Sequence, residues 1–120
     1  MRKSLLLLLI FAACNTPVGE GSFVLHDGSI EGPERIDSSE TSEFHATNVG
    51  EFNHTLVVAD STGRVVAATD LIAPGTEVAL AVDLPAGVYS VTCRIVTEDG
   101  DGNLVDHYEL GMHRMVTVVP

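Results

Sequence analysis

The chain has 120 residues and a formal net charge of −11, with 17 acidic residues against six basic ones. This length fits one compact domain rather than two, and so strong an acidic excess excludes a protein that binds nucleic acid through its phosphates. The absence of tryptophan and the small share of other aromatic residues argue against a stacking platform for sugars or single strands.

Residues 1–13 are predicted to be an export signal of the lipoprotein type. The opening "MRKSLLLLLIFAAC" has a basic start, an apolar run and two small residues before Cys14, and the apolar run is too short to span a bilayer. The ending resembles the lipobox of bacterial lipoproteins, whose cysteine is acylated and becomes the new N-terminus. The resemblance implies an extracytoplasmic chain with a lipid on Cys14, periplasmic or on the outer cell surface. The alternative is ordinary cleavage after an alanine, which leaves Cys14 as a free thiol.

Residues 14–22 are rich in Pro, Gly and Ser, a composition typical of a flexible tether. The domain, residues 23–120, consists of short β-forming runs separated by turn residues, without a convincing helical period. Their number and spacing predict an all-β, Greek-key β-sandwich or barrel of about seven or eight strands. Beyond the signal the chain carries four arginines, no lysine and all 17 acidic residues, a balance that permits attraction to a basic partner.

Cys93 has no partner for a disulfide if Cys14 carries lipid, because the chain has only two cysteines. Exported proteins usually pair their cysteines. In the run "GVYSVTC", alternation places Tyr89, Val91 and Cys93 on one face, which we expect to point into the sandwich. The thiol is then either a small buried apolar residue or a thiolate that binds a metal.

His107 is predicted to return to the level of Cys93. The run "EDGDGN" favours a tight turn, and a chain that folds back symmetrically about it pairs residues whose numbers add to about 201. Arg94 then lies opposite His107, and Met112 follows five residues later in a loop at the same end. Gly111 gives that loop its freedom to bend.

His54 is the fourth candidate, at the start of a strand after an Asn-x-Gly turn. Each candidate also has an ordinary interpretation when taken alone. His54 fits a capping or surface histidine, His107 a polar residue on a hairpin stem, and Met112 a core residue.

Together the four side chains offer two imidazoles, a thiolate and a thioether. This soft mixture of nitrogen and sulfur suits copper cycling between two oxidation states, and a trigonal His₂Cys plane with a weak axial Met is the blue-copper arrangement. Zinc accepts the same cysteine and histidines but gains little from a thioether.

Three segments resemble the cupredoxin pattern: "NVGEFNH" ending at His54, "LPAGVYSVTC" ending at Cys93, and "HYELGM" from His107 to Met112. The spacing of the last segment is similar to that of plastocyanin. The resemblance implies a Greek-key β-sandwich, one type 1 copper ion held by His54, Cys93, His107 and Met112, and electron transfer. It also implies that the edge of His107 serves as the electron route, framed by small or apolar residues (Val49, Phe52, Leu110 and Gly111).

The segment between Cys93 and His107 is longer than cupredoxins usually have. An offset of the turn would leave His113 as an alternative second histidine. The leading prediction is a monomeric, membrane-tethered electron carrier that meets a redox protein, such as a basic cytochrome. The alternatives are a lipoprotein that binds or delivers copper without transferring electrons, and a metal-free scaffold of the same fold.

Other sequence patterns are weaker indications of function. Asp99, Asp101 and Asn103 imitate the start of a calcium loop, but the required glycine and closing glutamate are missing, which favours a turn. His26 and His45 lie on predicted strands beside acidic residues, and we expect them at the surface. The sequence has no nucleophile–His–Asp spacing and no phosphate-binding glycine loop, so we expect a carrier rather than an enzyme.

Overall fold

The computed structural model describes residues 20–120. The predicted export signal, the lipidation site Cys14 and most of the predicted tether lie outside the described residues. The strands and the one helix of the described part are β1 Ser22–His26, β2 Ser29–Glu31, β3 Arg35–Asp37, β4 Glu43–Asn48, β5 Val57–Ala59, β6 Val65–Ala68, β7 Glu77–Ala81, β8 Gly87–Thr92, β9 Val96–Glu98, β10 Leu104–Asp106, α1 His107–Leu110 and β11 His113–Val119. Within residues 20–120, no helix has the length and apolar character needed to cross a membrane.

The strands form two mixed sheets and a separate hairpin. One sheet has the order β2-β1-β4-β7, the other has the order β3-β11-β8-β5-β6, and β9 pairs with β10 in the hairpin. β1 runs parallel to β4, and β3 runs parallel to β11. The predicted all-β sandwich is confirmed.

The core lies between the two sheets because strands such as β1, β4 and β11 alternate buried side chains with more exposed ones. Phe23 of β1 and Phe44 of β4 are both buried, and their ring centroids are 5.0 Å apart. The facing sheet contributes a set of buried aliphatic side chains, Ile36, Val58, Val91, Val116 and Val118. These residues pack into one continuous core beneath the candidate site.

Cys93 follows strand β8 directly and lies in this core. Tyr89, Val91 and Cys93 are buried, as the alternation predicts, and Val88 on the other face is exposed. Strict alternation would place Thr92 on that outer face, yet it is also buried. Its hydroxyl accepts a hydrogen bond from Arg94 Nε at 3.1 Å, so the arginine side chain covers it.

The β9–β10 hairpin corrects the predicted register by one residue. Val105 lies opposite Thr97 and Asp106 opposite Val96, and His107 N–H donates to the Ile95 carbonyl. The predicted pair of Arg94 with His107 is therefore wrong. Asp99 explains the shift, since its carboxylate accepts the N–H groups of Asp101 and Asn103 and makes a five-residue loop. Asp99 thus serves the turn.

Asp60 closes the β5–β6 turn, and we expect its contribution to stability to depend on pH. Its carboxylate accepts from the Thr62 hydroxyl and from the N–H groups of Thr62 and Arg64. The Thr62 hydroxyl, followed by the Arg64 N–H, holds the pKa of Asp60 below its usual value of 3.8. A carboxyl whose pKa is lower in the folded chain than in the unfolded chain stabilises the fold at pH values above its unfolded pKa. This stabilisation is lost as the pH falls through its folded pKa.

The Asp60→Asn variant should therefore unfold at lower urea than the parent at pH 7. The difference between the two should shrink at an acidic pH below the lowered folded-state pKa of Asp60, where the parent carboxyl is protonated as well. Asp70→Asn is the matched control, because it removes the same charge from an exposed position. An equal difference at both pH values would contradict the assignment.

Candidate metal centre

The structure brings His54, Cys93 and His107 together in the interior. The Nδ1 atoms of the two histidines are 3.1 Å apart, and Cys93 Sγ lies 3.7 Å from His54 Nδ1 and 4.0 Å from His107 Nδ1. All three side chains are buried, with 1 % exposure or less. Within residues 20–120 they are the group of three or more potential ligands whose donor atoms converge closely enough to hold one metal ion.

These separations fit a single metal ion. Metal–nitrogen bonds of about 2.0–2.1 Å and a metal–sulfur bond of about 2.3 Å, at trigonal angles, require N···S separations of about 3.8 Å and an N···N separation of about 3.6 Å. The observed values of 3.7, 4.0 and 3.1 Å lie within about 0.5 Å of these. Two imidazoles and one thiolate are also donors that copper favours. The group fits one copper ion.

The loop after β4 positions His54. Asn48 is fully buried, and its side-chain amide donates to the carbonyls of Phe52 and Ile72, while its Oδ1 accepts the Gly50 N–H. His54 then exchanges both main-chain hydrogen bonds with Ile72. Asn48 and Gly50, the conspicuous residues of the Asn-x-Gly turn, thus shape the loop that aims the imidazole inward.

Helix α1 positions His107. Asp106 caps the helix by accepting the N–H groups of Tyr108 and Glu109, which fixes the first turn at His107. Gly111 ends the helix with φ of 125°, a conformation that disfavours other residues. The chain then returns at Met112, whose N–H donates to the His107 carbonyl at 3.1 Å.

Met112 lies beside Cys93 in the fold. Its carbonyl accepts the Cys93 N–H at 3.0 Å, and its side chain is fully buried. Its role as a weak axial ligand stays a prediction. His113, the alternative second histidine, is exposed and stacks on Tyr108 with centroids 4.7 Å apart. His26 and His45 are half-exposed beside glutamates, as expected.

Nε2 of each histidine, the ring nitrogen that faces away from the candidate centre, contacts a side-chain oxygen of another residue. Asp27, in the turn after β1, has Oδ1 at 2.9 Å from His54 Nε2. Thr97, on β9, has its hydroxyl 3.0 Å from His107 Nε2. Because an ionised carboxylate only accepts hydrogen bonds, a neutral His54 carries its proton on Nε2 and presents the lone pair of Nδ1 to the centre.

Asp27 and His107 both have a lowered pKa. Burial alone would raise the pKa of Asp27, but hydrogen bonds from the Glu51 N–H, from His54 and from the Phe52 N–H outweigh it and hold the pKa below its usual value. Burial, and then the proximity of His54, lower the pKa of His107. At physiological pH the Asp27 carboxylate is therefore ionised and can orient His54 through its hydrogen bond. The His107 ring is neutral and can offer a nitrogen lone pair to a metal ion.

The sulfur of Cys93 has a polar neighbour on one side. The Thr55 N–H donates to Sγ at 3.4 Å, and the Thr55 hydroxyl lies 3.9 Å away. A hydrogen bond to the sulfur of a metal ligand tunes the properties of the metal it would hold. Thr55 follows His54 directly, so the same loop supplies one candidate ligand and the hydrogen bond to another.

The electron route predicted at the edge of His107 stays a prediction, and the structure places this histidine beneath the surface. The side chain is 1 % exposed, because Thr97 covers Nε2 and Phe52 packs against the ring with centroids 5.9 Å apart. Val49, Phe52 and Leu110, which were expected to frame that edge, are about half exposed. They give this end of the sandwich an apolar outer surface, while the ring itself lies beneath it.

Sequence reasoning missed four contributors: Asp27, Thr55, Thr97 and Asp106. The cap was readable, since Asp106 precedes "HYELG" with Glu109 at the third helical position and Gly111 after the end. Asp27 and Thr97 reach the histidines only through the tertiary fold, so no local pattern marks them.

Solved structures with a similar fold are, by name, an azurin, an auracyanin and a cupredoxin. The chain matches an azurin (Az-iso2) from the obligate methylotroph Methylomonas sp. strain J at 15 % identity and a TM-score of 0.59, over 87 % of this chain and all of that one. A reduced auracyanin from Roseiflexus castenholzii matches at 15 % identity and a TM-score of 0.59, over 82 % and 95 % of the two chains. A purple cupredoxin from Nitrosopumilus maritimus matches at 15 % identity and a TM-score of 0.53, over 83 % and 100 %.

No family model and no curated protein matches the sequence. The structural matches nonetheless establish a cupredoxin fold, and the buried group of His54, Cys93 and His107 fits a cupredoxin copper site.

Proposed function

We propose that this chain, with its cupredoxin fold, is a mononuclear copper protein that carries single electrons between redox partners and is not an enzyme. The observation that carries the proposal is the buried convergence of His54, Cys93 and His107. A bound copper ion would supply the one-electron change. The chain's own residues would hold the donors in place and exclude water.

Burial and fixation of the donors favour a carrier over a copper-delivery protein. His54, Cys93 and His107 are each 1 % exposed or less, and main-chain or side-chain hydrogen bonds hold all three. A protein that releases copper to another protein needs an entry path for the incoming ligand. A centre that changes oxidation state benefits instead from donors that barely move.

The apolar surface over His107 supports a docking role. Val49, Phe52 and Leu110 are exposed on the loop and helix that carry His54 and His107. Acidic residues share these elements and the β9–β10 hairpin, among them Glu51, Glu98 and Glu109. We infer that the partner is a basic redox protein. The two proteins would form a weak and short-lived complex, and this chain would act as a monomer.

The proposed location is outside the cytoplasm, with a lipid on Cys14 as the membrane anchor. The sequence of residues 1–14 supports this part of the proposal. The excess of acidic residues is compatible with a cationic partner approaching along the membrane surface.

The function is tested by loading the purified chain with Cu(II) and titrating it through reduction and reoxidation. We expect one copper per chain, a reversible one-electron couple, and slow loss of copper to a competing chelator. Rapid loss to the chelator without a reversible couple would favour delivery. Failure to retain copper after purification without reducing agent would leave a metal-free scaffold and overturn the proposal.

A further inference from the structure

The carboxylate of Asp27 is a charged group in direct contact with the candidate centre. Its Oδ1 lies 2.9 Å from His54 Nε2, and the carboxylate also accepts the N–H groups of Glu51 and Phe52. The side chain is one third exposed, while His54 is fully buried. Asp27 therefore connects the buried imidazole to the protein surface.

The opposite imidazole has a neutral partner. Thr97 offers a hydroxyl to His107 Nε2 at 3.0 Å, and a hydroxyl can either donate or accept. Thr97 is compatible with either tautomer of His107, whereas the ionised Asp27 requires the proton of a neutral His54 on Nε2. The two sides of the centre are therefore unequal in charge and in control of the tautomer.

Gly50 makes the close approach of Asp27 sterically possible. A Cβ at position 50 would lie 2.0 Å from Asp27 Oδ1 and 3.0 Å from His54 Nε2, distances at which the carboxylate would have to move. The lack of a side chain at position 50 therefore lets the loop and the Asp27 carboxylate pack together on the Nε2 side of His54. This packing fixes the orientation of the ring and of the Nδ1 lone pair.

We propose that Asp27 is a positioning residue that fixes the tautomer of His54 and lowers the reduction potential of the centre. This inference rests on the proposed copper function. The negative charge and its hydrogen bond make the imidazole a stronger donor, which favours the more highly charged Cu(II) over Cu(I). Loss of the charge would weaken Cu(II) binding more than Cu(I) binding and raise the potential.

The test compares Asp27→Asn with the parent by redox titration of the copper-loaded chain. Partners behind a ligand typically change metal affinity by about 10–100-fold. Each tenfold loss of Cu(II) affinity at unchanged Cu(I) affinity raises a one-electron potential by about 59 mV. Asparagine keeps the size of the side chain and an accepting oxygen, so the variant isolates the charge.

Two controls separate charge from structure. Thr97→Val removes the hydrogen bond to the other histidine without changing charge, and we expect a smaller shift in potential. Asp60→Asn removes an equal charge from a turn at the far end of β5 from His54, and we expect no shift. A potential for Asp27→Asn that equals that of Asp60→Asn would overturn the proposal.

A measurement on the copper-free protein decides the tautomer independently. ¹⁵N NMR of the parent should show His54 protonated on Nε2, and this holds whether or not the variant folds. Protonation on Nδ1 would overturn the role of Asp27. Failure of the parent to bind copper would instead overturn the proposed function, so the two failures are distinguishable.

Discussion

The Cys93→Ser variant should lose nearly all of the intense visible absorption that we expect from the Cu(II)-loaded chain. That absorption requires charge transfer from a thiolate, and a serine hydroxyl stays protonated in the same position. Affinity for copper should fall by more than about 100-fold, the upper range for residues that act behind a ligand. The measurement is an absorption spectrum at one equivalent of Cu(II).

The fold should survive this change. Serine is similar in size, and its hydroxyl can accept the hydrogen bond that the Thr55 N–H gives to Sγ at 3.4 Å. Cys14→Ser is the matched control, because it removes the other cysteine of the chain, and its colour should equal that of the parent. Equal colour in Cys93→Ser would exclude the sulfur as a copper ligand.

The Gly111→Ala variant should be strongly destabilised and should disturb the centre. Gly111 has φ of 125°, and an added Cβ would lie 2.5 Å from the Gly28 carbonyl oxygen. Backbone strain of this kind costs about 1–3 kcal/mol, and the contact with Gly28 adds to it because neither backbone can easily yield. Urea unfolding measures the loss, and the spectrum of the copper-loaded chain should change as well.

Gly63→Ala separates strain from steric overlap. Gly63 also has a positive φ, of 89°, but an added Cβ there meets nothing within 4 Å. We expect this variant to lose only the strain term and to keep the parent spectrum. A loss of stability no greater in Gly111→Ala than in Gly63→Ala would show that the contact with Gly28 can relax.

The sequence was most informative where function and local pattern coincide. Alternation along β8 predicted that Cys93 points inward, and the turn residues between Glu98 and Asn103 predicted that His107 returns to its level. The structure places both with His54. These predictions depend on the period of a strand and the position of a turn, which are local properties.

Local sequence patterns did not predict elements of only a few residues, or a hairpin register that depends on one side chain. Strands β2, β3 and β9 have three residues each and helix α1 has four, too few to show a period. The hairpin register moved by one because the Asp99 carboxylate holds the loop. The predicted register leaves a loop with an even number of residues, whereas the observed loop between Glu98 and Leu104 has five.

The partners of the two histidines could not be predicted for a different reason. Asp27 is 27 residues from His54 along the chain, and it approaches only because β1 and β4 lie side by side. The contact of Thr97 with His107 also depends on strand pairing, because it requires the exact register of the β9–β10 hairpin. Such contacts follow from the assembled sandwich rather than from any segment of it.

The main chain connects three of the candidate ligands to one another. The Cys93 N–H donates to Met112, and the Met112 N–H donates to His107. A fluctuation that frees one of these residues must break a bond that the next one shares, so the segment opens as a unit. Amide hydrogen exchange at Cys93 and Met112 should then report a single cooperative opening, and solvent reaches the three residues together.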